Sequence, residues 1–187
     1  MVVGKTGEEI DVDPTGRILV RFHWDLAGAN SMRCRVAQLW ASKSWGAQFI
    51  PRIGMEVVVE FLDGDPDKPL VTGCVYHGNH PMPYSPEDEK NRSGIKSNST
   101  PNSRGYNEVM FDDTAGKELF RQHAQFDMET KVLNDERREI DKNRSTIIGV
   151  DESHEVKGDS KWEITGQETR TTTGDRSVTM KANDKVE

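Results

Sequence analysis

Through the first half of the chain, apolar and polar positions alternate with a period of two. Ile18, Val20, Phe22 and Trp24 alternate with Arg17, Leu19, Arg21 and His23. This predicts a half-buried strand after the turn at Pro14-Thr15-Gly16, with the four apolar side chains facing one core. Met32, Cys34 and Val36 against Arg33 and Arg35 predict a second strand. Met55, Val57, Val59 and Phe61, with Glu56 and Glu60 on the other face, predict a third, stopped by the turn formers from Asp63 to Pro69. Leu70 to Tyr76 supplies another. No window carries a helical stripe. Short strands at this density predict a small closed or half-closed barrel over residues 1–77 rather than a sandwich.

Residues 78–106 break the pattern. Pro81, Pro83 and Pro86, with Ser93-Gly94, Ser97-Asn98-Ser99 and Ser103-Arg104-Gly105, predict a linker or an extended strap. In residues 107–130, Asn107 to Asp112 and Lys117 to Phe126 flank Asp113-Thr114-Ala115-Gly116, which predicts a hairpin leading into the last segment.

By composition, residues 131–187 look disordered, rich in charge and in Ser and Thr. Their periodicity says otherwise. Val132, Ile140, Ile148, Val156, Ile164, Thr172 and Met180 recur every eight residues without a slip. Two positions after each lead stand Asn134, Lys142, Val150, Gly158, Gly166, Gly174 and Ala182. One position further stand Asp135, Asn143, Asp151, Asp159, Gln167, Asp175 and Asn183. An apolar lead followed by a turn-forming Gly-Asp step describes one strand and one corner per repeat. A unit with a single reliable apolar position cannot bury it within its own chain. The expected solution is a closed cyclic assembly of several identical chains in which Val132, Ile140, Ile148, Val156, Ile164, Thr172 and Met180 face a shared axis, with Gly158, Gly166 and Gly174 at the corners. Such an assembly also removes open sheet edges.

Charge and composition narrow the function. Of 187 residues 33% are hydrophobic and 30% charged, which is lean for one compact globule. Lys and Arg number 25 against 32 Asp and Glu, a net charge of −7 that argues against wrapping a phosphate backbone. No apolar stretch is long enough to span a membrane as a helix, and no secretory leader pattern is expected at the N-terminus. Cys34 and Cys74 could pair, but a small secreted scaffold would carry more cysteines, so buried free thiols are expected.

Gly16-Arg17-Ile18-Leu19-Val20-Arg21-Phe22-His23-Trp24-Asp25, Arg35-Val36-Ala37-Gln38-Leu39-Trp40-Ala41 and Trp45-Gly46-Ala47-Gln48-Phe49-Ile50-Pro51-Arg52-Ile53-Gly54 closely resemble the oligomer-binding (OB) barrel of the VgrG family. These are the valine-glycine-repeat spikes of the type VI secretion system. The resemblance continues through Glu56 to Phe61, Gly64 to Pro69, Val71-Thr72-Gly73, Ser93 to Ser97, Tyr106-Asn107-Glu108 and His123-Ala124-Gln125. It therefore covers essentially the whole chain. It implies an all-β fold, with a small OB-type barrel followed by an intertwined triple-stranded β-helix formed by three chains. It further implies a homotrimeric, non-enzymatic puncturing device, mounted on the Hcp tube, tipped by a PAAR-repeat protein and carrying effectors through a target-cell membrane. Such a device is assembled in the bacterial cytoplasm and then secreted. Family members carry a larger hub before the barrel, so a fragment or a shortened member is expected here. The central spike of a contractile phage tail is similar and is the alternative reading.

Other chemistries find little support in the residues. Cys74-x-x-His77-x-x-His80 has tolerable metal-ligand spacing but no second close pair, so neither a metal nor a cofactor is expected. Asp63, Asp65 and Asp67 lie among prolines without the distal Glu of a calcium loop. No catalytic constellation stands out. An OB barrel can bind single-stranded nucleic acid, with Arg17, Arg21, Arg33 and Arg35 on the backbone and Phe22, Trp24 and Trp40 as stacking platforms. The alternation, however, places Phe22 and Trp24 in the core, so no nucleic-acid partner is expected.

Overall fold

A computed structural model describes residues 1–28 and 31–181. The chain separates into two compact units, Met1–Lys131 and Val132–Glu187. Among the described residues the only helical element is a 3-10 turn at Leu62–Gly64.

Seven strands build the first part of unit one: β1 (Val2–Val3), β2 (Ile18–Val20), β3 (Met32–Val36), β4 (Ala41–Ser42), β5 (Trp45–Gly46), β6 (Glu56–Phe61) and β7 (Pro69–Val75). Five of them form one sheet in the order β1-β2-β3-β7-β6, antiparallel except for the β3–β7 pair. Its two ends meet. The Val2 N–H donates to the Met55 carbonyl and the Gly54 N–H to the Val2 carbonyl, both at 2.9 Å, at the threshold of β6. The sheet therefore curls back on itself as an OB-type barrel. Ile18 stands opposite Cys34, and Val20 opposite Met32. Ile18, Val20 and Cys34 make a fully buried core with Val2 and Val71, ringed by Met32, Val36, Ile50, Met55, Val57 and Val59. Each such aliphatic side chain contributes about 1.5–3 kcal/mol by leaving water.

Two expectations fail here. Phe22 and Trp24 do not continue the β2 face into the core, because the chain turns after Arg21 and the Asp25 N–H closes on the Phe22 carbonyl at 3.2 Å. Trp24 is left 71% exposed, stacked on Phe22 at 4.5 Å between ring centroids. The two cysteines are both free, but only Cys34 is buried, whereas Cys74 is exposed.

The second sheet is antiparallel, in the order β10-β9-β8: β8 (Arg92–Lys96), β9 (Glu108–Asp112) and β10 (Leu119–His123). Strand β8 lies inside the segment read as a strap. Its polar sequence concealed a strand whose partner, β9, lies beyond the intervening loop. Gly94 sits opposite Met110, and a Cβ there would stand 2.4 Å from the Val109 carbonyl oxygen and 2.7 Å from Tyr84 Oη. A side chain cannot fit at that position.

Unit two has a different character. Across the described residues 132–181 no backbone hydrogen bond joins two parts of the chain. The chain bends at residues 133–134, 141–142, 149–150, 157–158, 165–166 and 173–174, the two positions after each lead. The bend recurs at Asn134, Lys142 and Val150 as it does at Gly158, Gly166 and Gly174, and none of these six residues has a positive φ. The bend is thus present both at the three octad glycines and at the three repeats that lack one. The corner follows the eight-residue period, and ordinary side chains adopt the same backbone. Ala182 and Asn183, the turn positions of the seventh repeat, lie outside the described residues.

Candidate trimerisation surface

The three-stranded sheet has two unlike faces because residue side alternates along each strand. Glu108 and Met110 point to the covered face, where they are 4% and 2% exposed. Glu108 is satisfied there by three donors: Tyr84 Oη at 3.0 Å, Arg121 Nε at 3.1 Å and Arg121 Nη2. The Arg121 hydrogen bond, reinforced by Tyr84, holds the Glu108 carboxyl below the usual carboxylate range against the opposing effect of burial. At the end of β9, Asp112 accepts from Thr114 and from Arg92, and its pKa falls to about 2.

The opposite face is apolar and open. Register places Ile95 beside Val109, and Phe111 beside Phe120, with all four side chains exposed and the two phenyl rings 5.2 Å apart. A monomeric domain seldom leaves such a cluster uncovered. The sequence signal was the continuous run Val109-Met110-Phe111, apolar on both sides of one strand.

In unit two the seven leads are not brought together within one chain, and each is open. The six large ones, Val132, Ile140, Ile148, Val156, Ile164 and Met180, are all between 46% and 58% exposed. Leu133 and Ile147, on the intervening positions, reach 89% and 92%. The segment thus carries one edge of regularly spaced, half-covered apolar side chains and an unpaired backbone. Both demand other chains, since buried N–H and C=O groups need partners and half-covered leads need neighbours.

Residues 93–187 match the bacteriophage T4 gp5 C-terminal trimerisation domain, and residues 2–76 match the type VI secretion system/phage-baseplate injector OB domain. The chain belongs to the VgrG spike family. Among curated relatives, the type VI secretion system spike protein VgrG4b of Pseudomonas aeruginosa is 43% identical over 84% of this chain and 20% of its own length. VgrG5 of the same bacterium is 40% identical over 84% of this chain and 20% of its own. The actin cross-linking toxin VgrG1 of Vibrio cholerae is 39% identical over 88% of this chain and 15% of its own. The chain spans about a fifth or less of the length of these relatives.

Within the VgrG family frame, β8 from Ser93 onward, β9, β10 and the octads fall in the trimerisation match, while β1 to β7 fall in the OB match. The other chemistries weighed in the sequence occupy structural roles. Arg17 is bound to Asp13, and Arg33 to Asp11, each at 2.6 Å, so two of the four arginines cast as phosphate contacts are engaged with carboxylates. His77 and His80 exchange backbone hydrogen bonds and pack ring on ring at 4.5 Å. Asp65 receives the Asp67 N–H at 3.0 Å and pairs with Lys68, closing the turn between β6 and β7.

Proposed function

We propose that three copies of this chain form the piercing part of a type VI secretion spike. Their octads wind about one axis on which Val132, Ile140, Ile148, Val156, Ile164, Thr172 and Met180 meet, while Gly158, Gly166 and Gly174 lie at the corners. The observation that carries the reading is the second unit: an unbroken eight-residue bend, a half-exposed apolar lead in six of the seven repeats, and a backbone without internal partners among the described residues. In the second sheet, the exposed face of Ile95, Val109, Phe111 and Phe120 is a further apolar surface left uncovered in one chain. The role is mechanical. Crossing a membrane by force requires a barrier to unfolding on the time scale of the stroke, and ladders between chains supply one. In this reading the trimer rides on an Hcp tube through a hub outside this chain, accepts a PAAR-repeat protein at its tip, and carries effectors. It assembles in the cytoplasm and is then secreted. Its own residues perform no catalysis.

The test is a pair of substitutions in cells that carry the apparatus. Ile164→Asp places three like charges at one level of the axis without partners, and is expected to abolish the trimer and block secretion. Lys161→Asp, at a position 84% exposed, is expected to leave both intact. Equal tolerance of the two substitutions would contradict the inward assignment.

A further inference from the structure

The octad segment carries four acid–base pairs spaced two residues apart, and they divide between two edges of the extended chain. Arg137–Glu139 and Lys161–Glu163 lie on odd positions, where the side chains are 87% and 70%, and 84% and 70%, exposed. Glu136–Arg138 and Glu168–Arg170 lie on even positions, the parity of the leads. There the values fall to 55% and 62%, and to 54% and 67%. Because eight is even, the lead and the positions four and six beyond it keep one parity through every repeat.

We propose that Glu136–Arg138 and Glu168–Arg170 face the trimer axis with the leads, as two rings of acid–base pairs that tie the three chains to one another. This rests on the trimeric reading above. Within one chain each pair is held by a single contact, Arg138 Nη2 to Glu136 Oε1 at 2.9 Å and Arg170 Nη2 to Glu168 Oε1 at 3.3 Å. A guanidinium has five N–H donors and a carboxylate about four acceptor sites, so most of the bonding capacity of both groups is free for the neighbouring chains. The rings also distinguish one repeat from the next. The leads are nearly interchangeable, and a chain displaced by one octad would still match lead to lead. The even positions are not interchangeable: Arg144 and Thr146, Glu152 and His154, and Ser160 and Trp162 occupy the equivalent places in the three repeats between the pairs. Displacement would set each charged pair against unlike neighbours. Polar groups at an interface between chains fix register in helical assemblies for the same reason.

The experiment exploits the asymmetry of buried ion pairs: removing one partner is costly, whereas removing both is nearly neutral. Thermal melting and the fraction of detergent-resistant trimer are measured for the full chain and for Glu168→Gln, for Glu168→Gln combined with Arg170→Gln, and for Glu163→Gln. The expected result is a fall in midpoint of about 5 °C or more for Glu168→Gln. The double variant should regain at least half of that loss, and Glu163→Gln should leave the midpoint within about 1 °C. Equal behaviour of Glu168→Gln and Glu163→Gln, or no recovery in the double variant, would overturn the ring assignment. An unsubstituted chain that forms no trimer would instead defeat the reading on which the rings rest.

Discussion

Arg121 on β10 reaches diagonally across the strand pair to Glu108 on β9, whose carboxylate side chain is 1% exposed. The pair anchors the covered face of the second sheet beneath Met110, and Tyr84 supplies a further donor. Tyr84→Phe removes that donor from a buried acceptor and is expected to lower stability by about 1 kcal/mol. Chemical denaturation of the two proteins at neutral pH checks this.

The same carboxylates set the acid limit of the sheet. The folded pKa values of Glu108 and Asp112 are depressed, by Arg121 first for Glu108 and by Thr114 and then Arg92 for Asp112. A depressed folded value means that the stabilisation is fully present above the ordinary values of 4.5 and 3.8 and is lost as pH falls through the folded ones, about 2 for Asp112. Melting midpoints should therefore hold from neutrality to about pH 5 and then decline toward pH 2. Replacing Asp112 by Asn should flatten the lower part of that decline.

Gly94 tests the packing of β8. A methyl group there collides with the Val109 carbonyl oxygen, which is backbone and cannot swing aside. Gly94→Ala is expected to cost about 1–3 kcal/mol, in the range of an overpacked core, while Gly158→Ala, with nothing within 4 Å in one chain, has no such collision. The two melting curves should separate clearly.

Phe111 tests the open face. In one chain its ring is 45% exposed and touches Phe120, so Phe111→Ser costs a free chain little. If three such faces pack together, the same change should weaken assembly disproportionately. Sedimentation across a dilution series would register a raised dissociation midpoint with an unchanged barrel fold.

Parts of this organisation were legible in the chain and parts were hidden, for physical reasons. Ile18, Val20 and Cys34 could be read as core because one-sided burial imposes a period of two on short strands. Phe22 and Trp24 obeyed the same period past the point where a turn closes the strand, and a pattern cannot signal that it has stopped applying. Strand β8 was concealed because Ser93 and Gly94 look like loop residues, and Gly94 is required by the close approach of β9 and Tyr84, which sequence spacing does not record. In the octads the period itself was plain. What it could not convey was the role of the glycine, since the bend at Asn134, Lys142 and Val150 matches that at Gly158, Gly166 and Gly174.

Protease mapping gives a regional test. The loop between β8 and β9, residues 97–107, is mostly exposed, while assembled octads would have their backbone held between chains. Cleavage is expected first outside residues 131–187, with the octads surviving as a resistant core. Early cuts within the octads would mean that the segment is unpaired.

The most direct measurement of the central claim is mass in solution by multi-angle light scattering. One chain weighs 21.1 kDa, so a threefold spike appears at about three times that mass, with amides protected from exchange across the octads. A particle at 21.1 kDa, folded and with the same protection over residues 131–187, would contradict it.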